Sequence, residues 1–83
     1  MFDYIQLTDD YSIYEIPVPA SWKGKSIVDV NVRRKYKINI IAVKVDQMLQ
    51  PTPEADYVFG MDDHIVVIGK ANDVLKLTGK RSK

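Results

Sequence analysis

The run Ile38-Asn39-Ile40-Ile41-Ala42-Val43-Lys44-Val45 limits the fold of this chain more than any other stretch. It is apolar on both alternation faces until Lys44, a pattern that predicts a strand covered on both sides. The remaining elements must supply that cover from very little chain. With 83 residues the protein sits near the lower limit for a core that folds unaided, so residues 1–83 are expected to form one domain. So small a core gives only a few kcal/mol net, and further burial by oligomerisation is expected.

The other elements are short. Phe2 to Leu7 and Tyr11 to Val18 are aromatic and β-branched, with the turn cluster Thr8-Asp9-Asp10 between them. Pro17 and Pro19 end the second strand, because proline cannot donate to a central ladder. Pro19 to Lys25 reads as a loop carrying Trp22 and Gly24. Ser26 with Asp29 three residues on is an N-cap signal. Ile27 and Val30 then share a helical face, and Asn31 can cap a second turn over Val32 to Tyr36. A short, broken helix is expected there. Asp46-Gln47 turns the chain into a brief strand at Met48 to Gln50, stopped by Pro51-Thr52-Pro53. Gly60 to Asp63 is another turn, and His64 to Ile68 a strand closed by Gly69. Ala71 to Thr78 reads as a helix with Val74, Leu75 and Leu77 inward, ended by Gly79 and followed by a frayed Lys80 to Lys83 tail. The order β-β-α-β-β-β-α describes an α+β domain, a small mixed or antiparallel sheet with two short helices.

Composition excludes several classes. The absence of cysteine removes disulfides, zinc thiolate sites and thiol nucleophiles, and agrees with a cytosolic address. No stretch approaches the roughly 20 apolar residues of a transmembrane helix, and no signal peptide opens the chain. A soluble, intracellular protein is expected. Its net charge of +1 argues against a broad nucleic-acid footprint, despite a basic cluster and five tyrosines. His64, the sole histidine, stands beside Asp62 and Asp63, but no serine or cysteine nucleophile accompanies it, so an enzyme is not expected. Asp9-Asp10 and Asp62-Asp63 read as turn residues; a divalent-cation site needs more oxygen ligands, so no metal is expected.

The densest chemistry is Arg33-Arg34-Lys35-Tyr36-Lys37, four cations in five residues. One reading is a solvated helix end, whose basic residues complement the negative dipole. The other is a phosphate site, to which arginine brings a planar fork that meets two oxygens at once. Asn39 adds weight to the second. A polar amide between Ile38 and Ile40 must face solvent, an interface or a ligand, since burying it unpaired costs about 1–3 kcal/mol.

In order, the landmarks are Gly24-Lys25-Ser26-Ile27, Val30-Asn31-Val32-Arg33, Tyr36-Lys37-Ile38-Asn39-Ile40-Ile41-Ala42, Pro51-Thr52-Pro53, Asp63-His64-Ile65-Val66-Val67-Ile68-Gly69 and Asn72-Asp73-Val74-Leu75. Together they resemble the C-terminal (TrkA-C) domain of RCK regulatory subunits, most nearly the C-lobes of KtrA and KtrC potassium-uptake subunits. Two positions depart from the family. Lys37 stands where glycine is usual, so a left-handed helix end falls on a non-glycine residue or is avoided. Asp62 stands where a glycine often precedes the aspartate.

The resemblance implies an isolated C-lobe without the N-terminal Rossmann lobe, since no G-x-G-x-x-G is present. It also implies a homodimer that binds cyclic di-AMP, a ligand and not a cofactor, across its two-fold axis. That ligand would down-regulate a membrane potassium-transporter subunit from the cytoplasmic side. Arg33 matches the family's phosphate-binding arginine, although adjacent Arg34 is a neighbour in register. Two-fold symmetry suits the ligand, whose two phosphates would each meet one Arg33. Ile27, Val28 and Ile38 are suited to an apolar wall for the bases, Asn39 to a hydrogen bond, Tyr36 to a ring face and Pro53 to closing the pocket. Ile27 and Ile38 could equally be plain core, Tyr36 a cover for it and Pro53 only a strand end. The alternative is a pure assembly module that dimerises, ties a gating ring together and leaves Arg33 on the surface.

Overall fold

The computed structural model describes residues 4–78. Five strands form one sheet: β1 (Tyr4–Gln6), β2 (Tyr11–Pro17), β3 (Asn39–Val45), β4 (Met48–Pro51) and β5 (His64–Lys70). Their spatial order is β1-β2-β5-β3-β4, and every neighbouring pair is antiparallel. The helices are α1 (Ile27–Val30), α2 (Val32–Tyr36) and α3 (Ala71–Thr78), with a 3₁₀ turn at Ala20–Trp22. The α+β class and the broken helix expected from sequence are both present. Phe2, Gly79 and the Lys80 to Lys83 tail lie outside the described residues.

Register places the core on one face. Ile16 pairs with Ile65 in β2–β5 and Val43 with Ile65 in β3–β5. These residues and Val67 are fully buried against Val30, Val32, Val74 and Leu77 of the helices. The opposite face carries Ile13, Asn39, Ala42, Val66 and Ile68, with no helix across it among the described residues. The two-sided cover expected for β3 is therefore not realised, because the helices all pack on the same side. At Ile41 the β3–β5 register shifts by one residue, and that side chain is left exposed. Leu75, expected inward, is likewise exposed; Val74 and Leu77 share the buried face of α3 and Leu75 lies to its side.

Local chemistry explains the junctions. The Asp29 N–H donates to Ser26 Oγ at 3.1 Å, the expected cap of α1. Asn31 acts differently from expectation. It takes the left-handed conformation (φ 60°, ψ 52°) that ends α1, and its side chain makes no cap bond to α2. Lys37 ends α2 in the same conformation (φ 63°, ψ 29°), where a side chain without asparagine's tolerance costs about 1 kcal/mol. Asp46 and Gln47 both have positive φ, as a two-residue hairpin between β3 and β4 requires. Gly69 is needed for closeness: a Cβ there would lie 2.7 Å from Ile38 Cγ2. That contact seats Ile38 in the core at the start of β3.

Candidate ligand-binding site

The segment 52–63 builds one wall of the site through backbone bonds. The Ile27 N–H donates to the Tyr57 carbonyl (3.0 Å) and the Val28 N–H to that of Ala55 (2.9 Å). Gly24 and Phe59 tie the same two stretches together, with Gly24 N–H to Phe59 O at 2.9 Å and Phe59 N–H to Lys25 O at 3.0 Å. A four-residue helix is marginal alone. Here its opening N–H groups are satisfied by a strand-like neighbour, which holds Pro53 and Ala55 beside Ile27 and Val28.

Asp63 fastens that segment. It is buried, and its carboxylate accepts the Tyr57 O–H and the Gly60 N–H, the latter at 2.8 Å. The Tyr57 phenol is pushed up from 10.0 to about 12 by burial first, then by the hydrogen bond to Asp63 and its charge. The folded state thus holds this proton more tightly than the unfolded chain. Its stabilisation is full below pH 10 and is lost as pH climbs toward 12. In a difference titration by phenolate absorbance, the step removed by Tyr57→Phe should fall near pH 12; a step near pH 10 would contradict the arrangement.

Two adjoining grooves meet at Arg33 and Asn39. The first, of about 330 Å³, is lined by Ile27, Val28, Arg33, Asn39, Pro53 and the unforeseen Asn31, Val32, Ile40 and Ala55. The second, of about 300 Å³, is lined by Arg33, Asn39 and Ile38 together with Tyr11, Lys37 and Ile68. Arg34 lines neither. Among the described residues Glu15 pairs with Lys44 (3.3 Å) and is hydrogen-bonded to His64 Nδ1 (3.2 Å), leaving Arg33 without an acidic partner. Asn39 is exposed on the uncovered sheet face, as its setting between isoleucines requires.

Tyr36 lies apart from both grooves. Its ring packs on Trp22, with centroids 5.3 Å apart. The aromatic cluster of Trp22 and Phe59 draws it inward. Ile38 is 2% exposed, so it is core first and groove floor second. His64 pairs with Glu15, not with a neighbouring aspartate. Ala55 gave no sequence signal, because only backbone bonds between distant segments bring it beside α1. Asn31 did give one, as an asparagine at a helix break.

An apolar groove beside an arginine with no acidic partner among the described residues, with an outward amide on a one-faced antiparallel sheet, is an arrangement suited to a small anionic molecule. The TrkA-C domain family matches residues 11–80, and the chain belongs to it. Among particular relatives, it is 32% identical over 74 residues to Ktr system potassium uptake protein C of Bacillus subtilis (strain 168), covering 89% of this chain and 34% of that protein. It is 38% identical over 76 residues to Ktr system potassium uptake protein A of the same strain, covering 89% and 33%. The chain thus spans about a third of the length of these relatives. Among solved structures, the RCK C domain of the potassium transport protein KtrA, in complex with cyclic diadenosine monophosphate, superposes with a TM-score of 0.75. Identity there is 32%, over 82% of this chain and 80% of that one. No helix among the described residues is long and apolar enough to cross a membrane.

Proposed function

We propose that this domain is the ligand-sensing part of a potassium-uptake regulatory subunit and binds cyclic di-AMP between two copies of itself. The observation that carries the reading is that Arg33 and Asn39 line one groove together with Ile27, Val28 and Pro53. A KtrA RCK C domain of 32% identity in complex with the same ligand supports it. Each phosphate meets an Arg33 guanidinium, each adenine lies against Ile27, Val28 and Pro53, and Asn39 supplies a hydrogen bond. At about 330 Å³ the groove is at the small end of ligand pockets. That size fits half of a dinucleotide, with a second protomer supplying the other half. The uncovered face bearing Ile13, Val66 and Ile68 offers apolar surface for the second copy.

The domain is a sensor and not an enzyme. It works at the cytoplasmic side of the membrane, in an assembly with an N-terminal RCK lobe and a membrane potassium-transporter subunit. Ligand held by both protomers favours one dimer geometry by its differential affinity for it, and thereby turns uptake down. Nucleic acid has no part in this scheme.

Isothermal titration with cyclic di-AMP, and with ATP as a control, tests the proposal. Binding at one ligand per two chains, absent for ATP, is the expected result. No binding, with dimers still present by sedimentation, would leave an assembly module.

A further inference from the structure

The second groove has a feature that the dinucleotide reading does not use. Lys37 lines it beside Arg33, and neither has an acidic partner among the described residues. No carboxylate lines this groove, and Lys70 Nζ stands 5.8 Å from the centroid of the Tyr11 ring that also lines it. Two unfavourable choices coincide at this one residue. Lys37 holds a left-handed backbone that glycine would adopt without strain. It also places a second uncompensated cation near Arg33, whose carbonyl accepts the Lys37 N–H at 3.1 Å. Strain retained at a groove is a reason to look for function there.

We infer that Lys37 is a second phosphate contact, and that with Arg33 and Asn39 it makes the second groove an anion subsite. The inference rests on the nucleotide reading above. Arg33 supplies the planar fork for two phosphate oxygens, and Lys37 a mobile point charge for a third. Tyr11, Ile38 and Ile68 complete the lining, while Arg33 and Lys37 are themselves exposed, so salt screens the contact.

The test separates the two roles open to Lys37, because they move stability and binding in opposite directions. In Lys37→Gly the melting temperature should rise, since the strain is relieved. Its affinity for cyclic di-AMP should fall about five- to tenfold at low ionic strength, the difference shrinking as salt screens the contact. Lys37→Arg should restore the affinity. Wild-type affinity in Lys37→Gly at low salt would overturn the inference, leaving a helix cap only, while the sensor reading stands. If the wild type binds no cyclic di-AMP, pyrophosphate followed by amide chemical shifts isolates the subsite. Shifts at Lys37 and Asn39 that vanish in Lys37→Gly would uphold it, and no shifts would overturn it.

Discussion

Trp22→Ala is expected to abolish cooperative folding. Trp22 is 2% exposed, although it sits in the short 3₁₀ turn of a connecting segment. Its ring meets Tyr36 at 5.3 Å and Phe59 at 5.6 Å, and Tyr57 stands edge-on to Phe59 at 5.8 Å. The cluster joins α2 to the segment that forms the groove wall. Truncating a buried tryptophan costs about 3–5 kcal/mol, which is comparable to the whole stability of a domain this small. Thermal unfolding followed by far-ultraviolet circular dichroism should show a sharp transition in wild type and none in Trp22→Ala. Leu75→Ala, at an exposed position of α3, should melt close to wild type. A cooperative Trp22→Ala transition within a few degrees of wild type would mean that the strand core alone carries the fold.

Arg33→Ala should cost about a hundredfold or more in affinity for cyclic di-AMP, with little change in melting temperature. A hydrogen bond to a charged group contributes about 1.5–3 kcal/mol, and a two-fold site loses two such groups at once. Folding should be untouched, because Arg33 is exposed and unpaired among the described residues. Arg34→Ala is the control. It removes the same charge from the same helix at a position that lines neither groove, so its effect should be severalfold at most. Equal losses in the two variants would point to diffuse attraction by the basic cluster, and unchanged binding in Arg33→Ala would remove the phosphate contact. Titrations at two ionic strengths distinguish these cases, since a diffuse field is screened more strongly than a groove-bound pair.

Much of the fold was legible in local signals. Ser26 with Asp29, the Asp46-Gln47 hairpin and the β-branched runs each specify a junction or strand through short-range chemistry. The outward placement of Asn39 follows from one argument about the cost of burying an amide. Less legible was everything that depends on which face receives the helices. Ile41 and Leu75 look like core by composition, yet both are exposed, one at a register shift and the other beside the buried stripe of its helix. Tyr36, a candidate for stacking on a base, instead packs on Trp22. Nothing in the sequence near Trp22 shows that a loop residue closes the core.

For the candidate site the division is similar. Arg33, Asn39, Ile27, Val28 and Pro53 carry a signal in residue type and in resemblance to a family, and the fold brings them to one groove. The absence of Arg34 from both grooves and the arrival of Ala55 and Lys37 belong to the three-dimensional arrangement. The sequence by itself determined the strands, the caps, the turns and the position of the basic cluster, because each arises from neighbours within a few residues. Only the tertiary structure decided which cations face a groove, which aromatics are spent on the core and which face of the sheet stays open. Those outcomes depend on contacts between segments far apart in the chain, such as residues 24–28 against 55–59.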